Sequence, residues 1–459
     1  MIALKTKLEN HKATAAVIGL GYVGLPLAME ITAAGFDVIG IDLDHSKIDR
    51  LKQGRSYILD VPEKNIANAV QSGKFTPTSD FSALANADTV SICVPTPLSK
   101  SRDPDISFIL SATEEIRKFL HHDQLIVLES TTYPGTTDEL IVPELETSGL
   151  KVGSDFYVAY SPERIDPGNA TFTTRNTPKI VGGISPQCTE IARLFYSQFI
   201  ELVIPVSSTK CAEMVKLLEN TFRSVNIGMV NELALMCDLL GVDVYEVIDA
   251  AATKPFGFSP FYPGPGLGGH CIPIDPHYLA WKLKALNFQA RFIGLAAEIN
   301  GMMPAVVSSL VADGLNRVSK SIRGSKVMIL GVAYKKNVSD CRESPALDVM
   351  RLLSEKGAIL SYNDPLVPSV HLGRSTLKSI EASPAQIARH DCVIILTDHS
   401  TYDIREIVES AKLVIDTRNA TKDLHAFKDR IIKLGAGNNP PSKTRHDGGE
   451  EVPAELATH

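Results

Sequence analysis

What the chain lacks narrows its class before any motif is read. Its seven cysteines are odd in number and include no C-x-x-C pair, which argues against a disulfide framework or a zinc site and for a reducing cytosol. It has no long basic run and a net charge of −7, so nucleic acid is a poor partner. An anionic small ligand stays compatible, because backbone amides and a few Lys or Arg side chains suffice to hold one. The opening residues, MIALKTKLENHK, contain no apolar h-region, and no signal peptide is expected. No apolar run approaches the roughly 18 residues of a membrane span, so no membrane partner is expected. What remains is a cytoplasmic globular protein of 459 residues, 44% hydrophobic and 22% charged. That length allows two or three domains, each with its own core.

One stretch, GPGLGGHCIPIDPHY from Gly264 to Tyr278, sets Cys271 behind four glycines and ahead of Pro273 and Pro276. Glycine lets a backbone turn tightly or approach a ligand, and proline fixes the exit path. A thiol on so constrained a loop suits a positioned nucleophile. It also suits a small buried hydrophobe in front of a helix that Asp275 caps and Pro276 begins.

Thr14 to Leu43 reads as a β-α-β unit: strand TAAVIGL, a helix from Gly24 to Ala34, then strand DVIGIDL. Gly19, Gly21 and Gly24 have dinucleotide-binding spacing, and Asp42 closes the second strand as an acceptor for a ribose 2′-OH. Asp44 follows it and would repel a 2′-phosphate, which favours NAD over NADP. The runs TVSICVP, QLIVLEST and FYVAYS continue a parallel, doubly wound sheet. Thr96, Ser130, Thr131 and Glu163 fall at strand carboxyl ends, where such sheets bind ligands; the hydroxyls there also suit turns or caps.

From Ser207 to Leu240 the period becomes helical, in one or more long helices capped by Ser207 or Ser208, with a second helical set from Pro276 to Asn316. Lys216 and Asn220 share a helix face. After Gly324 a second α/β pattern begins with KVMILGVA; its first turn lacks the glycine spacing but offers Lys335, Lys336 and Arg342 to an anion. The expected fold is thus α/β: two doubly wound Rossmann-like domains joined by a long central helix. The divisions are 1–206 for NAD, 207–320 for a central helical and dimerisation domain, 321–434 for the second α/β domain, and 435–459 as a disordered tail.

A thiol beside NAD has a specific use. It captures an aldehyde as a thiohemiacetal, whose carbon can lose a hydride and leave a thioester. The segments GLGYVGLPLA, ICVPTPL, LESTTYPGTT, YSPERIDPG, EMVKLLENTFRSVNIGMVNE, GPGLGGHCIPIDPHYL and AYKKNVSDCRES closely resemble the UDP-sugar 6-dehydrogenases related to UDP-glucose dehydrogenase, from about Ala13 to Ala420. The resemblance implies a four-electron oxidation of a UDP-hexose at C6 with two NAD and water. It makes Cys271 the nucleophile, and Lys216, Asn220 and Asp275 the polar cluster around C6. Glu163 and Thr131 become the residues that activate or position water. Gly19, Gly21, Tyr22, Val23, Gly24, Asp42, Thr96, Thr131 and Arg342 become cofactor contacts. Glu163, Arg164, Lys216, Asn220, Arg223, Tyr262, Gly268, Lys335 and Arg418 become contacts of the UDP-sugar; no metal is implied.

Arg164, Arg223 and His270 resemble the branch that oxidises N-acetylated sugars for surface polysaccharides, and ATKPFGFSPFYPGPGLGGHCIPIDP points to UDP-N-acetylglucosamine as first substrate. Its manno and galacto epimers and UDP-glucose are alternatives. Two rivals remain: a two-electron 3-hydroxyacid-type dehydrogenase, which shares a Lys-x-x-x-Asn helix, and a non-enzymatic NAD sensor with a structural Cys271.

Overall fold

The computed structural model describes residues 2–58, 60–99, 103–166, 169, 171–269 and 272–437. The dinucleotide-type pattern folds as an eight-stranded sheet of β1 (Thr14–Ile18), β2 (Asp37–Ile41), β3 (Phe75–Thr78), β4 (Thr89–Ile92), β5 (Leu125–Leu128), β6 (Tyr157–Tyr160), β7 (Lys179–Gly183) and β8 (Val203–Pro205). Their order is β3-β2-β1-β4-β5-β6-β7-β8. Alternate residues of one strand enter different cores: Ala15, Val17, Leu125 and Val127 lie in one cluster, and Ala16, Ile18, Ile126 and Leu128 in the other. That is what the two-residue period of a strand demands when both faces are covered. The sheet is parallel except for β6 against β7, a reversal the parallel reading did not include. Strand order turns between β1 and β4, so a crevice opens at their carboxyl ends.

The second α/β pattern forms β9 (Lys326–Leu330), β10 (Ile359–Asn363), β13 (Cys392–Ile395), β14 (Val414–Asp416) and β15 (Ile431–Lys433), all parallel and ordered β10-β9-β13-β14-β15. A hairpin of β11 (Ser369–Leu372) and β12 (Ser375–Lys378) is separate from it.

The central segment is one unbroken helix, Thr209–Leu240, of 32 residues; Ser208 Oγ accepts from the Cys211 amide at 3.2 Å and caps it. The later helical set divides into Asp275–Lys284 and Arg291–Arg317. By length and composition Arg291–Arg317 is apolar enough to cross a membrane, and half of its most apolar window is buried. The reading by uninterrupted runs passed over it because Asn300 and the serines break the run. A core helix of a globular unit satisfies the same test.

The chain groups into two compact units. One comprises the chain up to Asn226 with Leu267–Glu298 and Ala333–Ser344; the other comprises Ile227–Gly266, Ile299–Val332 and Pro345 onward. Of the tail expected from residue 435, residues 438–459 lie outside the described residues.

Candidate active site

In the first unit, β1 runs into a turn that only glycine can make. Gly19 has φ +89°, and a Cβ there would stand 2.6 Å from the Cys93 carbonyl oxygen. A Cβ on Gly24 would stand 1.9 Å from the Gly19 carbonyl oxygen, so helix Gly24–Ala33 can start this close only with hydrogen at that position. Gly21 differs: its Cβ would meet nothing within 4 Å, and the backbone faces open space there. Val23, at the N-cap, gives no side-chain cap, so the amides and positive dipole end of the helix remain free of one.

Asp42, just past β2, accepts from the Leu20 and Asp44 amides, both at 2.9 Å, and from Lys47 Nζ at 3.0 Å. A carboxylate has about four acceptor sites, which leaves one for a ribose hydroxyl. Lys47 was absent from the sequence reading; five residues after the acid, in the first turn of helix His45–Lys52, was the available signal. The Arg342 guanidinium lies 5.4 Å from the Tyr22 ring centroid and pairs with Asp340 at 2.7 Å. Thr96 is buried, and its carbonyl accepts from Tyr278 Oη at 3.0 Å. Thr131 is half-buried beside Ser130, whose Oγ donates to the Val94 carbonyl at 2.8 Å. An uncapped helix end, an open glycine and an acid at the second strand's end together fit a dinucleotide.

The same unit gathers Glu163, Lys216, Asn220 and Asp275. Lys216 Nζ donates to the Glu163 carbonyl at 2.6 Å. Asn220 Nδ2 donates to Asp275 Oδ2, and all three side chains of the central cluster are buried. Burial pushes the Asp275 carboxyl up to about 6, against the opposing pull of Lys216 and of the Asn220 bond. The expectation that Asp275 caps its helix is corrected: Ile274 is the N-cap and makes no side-chain cap, Asp275 is the first helical residue, and its carboxylate turns to Asn220. Glu163 Oε1 accepts from the Ile165 amide.

Arg164 pairs with Glu219 and donates from Nη1 to the Pro178 carbonyl at 2.6 Å, so its guanidinium is already engaged. Arg223 is exposed and Gly268 half-buried. Lys335 belongs to this unit, where its Nζ meets Asp166 Oδ1 at 2.5 Å. Cys271 and His270 lie outside the described residues.

In the second unit Arg418 donates from Nε to the Leu396 carbonyl at 2.8 Å, past β13. A Cβ on Gly264 would come within 2.6 Å of Arg418 Nη1, and the Gly264 amide donates to Asn231 Oδ1 at 2.9 Å. Tyr262 donates to Asp249 at 2.7 Å and stacks on Tyr245 with 6.4 Å between centroids. Among the described residues no group of three His, Cys, Asp or Glu side chains could hold a metal, and the described cysteines are free thiols.

The UDP-glucose/GDP-mannose dehydrogenase family matches in three parts: its NAD binding domain over residues 13–200, its central domain over 210–302 and its UDP binding domain over 328–423. A UDP-N-acetyl-D-mannosamine dehydrogenase of Methanococcus maripaludis is 37% identical over 92% of this chain and 97% of its own. A UDP-N-acetyl-D-glucosamine 6-dehydrogenase of Pseudomonas aeruginosa is 34% identical over 88% and 96%. Among solved structures, a UDP-D-ManNAc dehydrogenase from Pyrococcus horikoshii superimposes with TM-score 0.84 at 33% identity, over 93% of this chain and 100% of that one.

Proposed function

The chain belongs to the UDP-glucose/GDP-mannose dehydrogenase family, and on that premise we propose that it oxidises C6 of a UDP-N-acetylhexosamine from alcohol to carboxylate. One observation carries the reading: Lys216, Asn220, Asp275 and the Glu163 segment converge in the unit that holds the dinucleotide turn. NAD, held at the Gly19–Gly24 turn and at Asp42, supplies the hydride acceptor. Lys216 is the cation of this cluster, and its ammonium would stabilise an alkoxide forming at C6. Asp275, raised to about 6, is mostly carboxylate at neutral pH and can take a proton from that oxygen.

Cys271, as its thiolate, adds to the aldehyde carbon and gives a thiohemiacetal. Loss of hydride leaves a thioester. Water, deprotonated toward Glu163, then displaces the thiolate and releases the acid. The balance is one alcohol, two NAD and one water to one carboxylate, two NADH and three protons.

The relatives divide between C2 epimers. UDP-N-acetylglucosamine is the first substrate from the Cys271 loop, and the 37% against 34% identities favour UDP-N-acetylmannosamine as the second reading. NADH counted per UDP-sugar, across both epimers, the galacto epimer and UDP-glucose, tests the proposal. Two per sugar is expected, and Cys271→Ser should abolish the acid product. One NADH with free aldehyde from the unmodified enzyme would overturn the four-electron reading.

A further inference from the structure

Tyr278 lies three residues after Asp275 on helix Asp275–Lys284, and none of the chemistry above uses it. Residues three apart share a helix face. One turn of this helix therefore directs two polar groups the same way, and each meets a different element. The Asp275 carboxylate accepts from Asn220 of the central helix. The Tyr278 hydroxyl donates to the Thr96 carbonyl at 3.0 Å, shared with the Pro97 carbonyl at 3.3 Å, although 182 and 181 positions separate them in sequence. Tyr278 is fully buried, and its ring packs in a cluster with Tyr133, Ile274 and Leu217, the residue after Lys216.

The segment it grips has few ways to hold itself. Residues 93–97 read CVPTP and follow β4 at the point where strand order turns. The start of the segment lies against the dinucleotide turn, at the Cys93 carbonyl that leaves Gly19 no room for a Cβ. Ser130 Oγ holds it from the β5 side through the Val94 carbonyl. Beyond Val94, Pro95 and Pro97 have no N–H to donate. Thr96 is buried between them, and a buried carbonyl left without a donor is costly. Tyr278 supplies that donor. Further along the same helix, Trp281 packs on Tyr133 with 5.1 Å between centroids, and Lys282 pairs with Glu139 at 2.6 Å. The helix that begins at Asp275 is thus seated on the segments that follow both β4 and β5.

We propose that Tyr278 is a positioning residue for hydride transfer: its hydroxyl fixes the Thr96 segment, beside the dinucleotide turn, against the helix turn that presents Asp275. The proposal rests on the reading of Asp275 as the group that takes the proton from the C6 oxygen. Proton and hydride leave the same alcohol carbon and its oxygen, so their two acceptors must be held in register. A misplacement of about 1 Å costs on the order of 10²-fold in rate. Without the hydroxyl the ring still fills its place in the core, but the Thr96 segment loses its tie to the helix of Asp275.

The test is Tyr278→Phe in the full chain, which keeps the ring and removes the donor. Amide exchange at Val94 and Thr96, read by mass spectrometry with neither NAD nor sugar present, should quicken by at least about 3-fold, because a segment with one tie fewer opens more often. The sugar is whichever of UDP-N-acetylglucosamine and UDP-N-acetylmannosamine the parent oxidises. At saturating NAD and sugar, single-turnover formation of the first NADH should slow by roughly 10-fold, while KM for the sugar stays within about 2-fold. Asp275→Asn, run alongside, should abolish that first step; a step that survives refutes the reading of Asp275, separately from Tyr278. A tyrosine that only packs the core would lower the melting temperature and leave the other readouts alone. Either the exchange or the first-hydride rate remaining at the parent's value therefore overturns the proposal. If Tyr278→Phe does not fold, Trp281→Leu serves, since Trp281 is partly exposed and its loss loosens the same helix from Tyr133; an unchanged exchange or first-hydride rate there overturns the proposal equally.

Discussion

Asp275 shows how a single residue trades stability for chemistry. Its carboxyl is held at about 6 by burial, from an ordinary value of 3.8. A folded-state value above the unfolded one means that the native state holds its proton more tightly. The contribution to stability is therefore fully present below about pH 4 and is lost as pH rises through 6. At neutral pH the deficit is on the order of 3 kcal/mol. Asp275→Asn keeps the shape and removes the charge, so its melting temperature at pH 7.5 should exceed that of the unmodified protein while kcat collapses. An equal or lower melting temperature would show that the burial cost is met elsewhere. Lys216→Ala makes the complementary case: kcat should fall about 10²-fold or more if its ammonium stabilises an oxyanion, and an unchanged single-turnover rate would remove Lys216 from the mechanism.

At the scale of the element, the turn after β1 separates fold from ligand within six residues. Gly24→Ala places a methyl against the Gly19 carbonyl, which must shift the helix start; loss of both NAD binding and several degrees of melting temperature is expected. Gly21→Ala enters open space. It should melt like the parent yet bind NAD at least about 10-fold more weakly, read by calorimetry, because only the ligand meets the new methyl. Equal NAD affinity in that variant would move the dinucleotide off this turn.

This β-α-β unit was also the most legible part of the sequence, since its glycines, its two apolar strands and Asp42 are local signals that agree with one another. What stayed hidden was non-local. Asp275–Pro276 reads as a cap in isolation; only the approach of Asn220, 55 positions away, turns the carboxylate inward. Arg164 looked available until Glu219, equally distant, engaged it. A lysine opening KIVGG and a glutamate closing LIVLE are charges in otherwise apolar runs, and their pairing across 50 positions has no local mark. β3, four residues with Pro77 among them, is tolerable because it is the edge strand of its sheet.

At the scale of the whole molecule, the helix Thr209–Leu240 has two faces of different character. Inward it buries Leu217, Asn220, Ser224, Asn231 and Ala234. Outward it exposes Leu218, Phe222, Met229, Met236 and Leu240, at 59%, 52%, 53%, 46% and 74%. Phe222, Met229 and Met236 recur every seven residues, the spacing that keeps one seam of a helix facing a second helix. Exposed apolar side chains at this spacing suit burial against another helix. A second copy of the chain is the occupant we propose, since a self-complementary stripe suits a twofold contact. Phe222→Asp with Met229→Asp should convert a dimer to a monomer by light scattering, with each variant chain still melting cooperatively. Lys216 and Asn220 lie on the buried side of the same helix, so the monomer should also lose kcat more than it gains KM, as a helix less firmly held orients them less well. An unchanged mass, or a monomer already present before substitution, would leave the stripe without that partner.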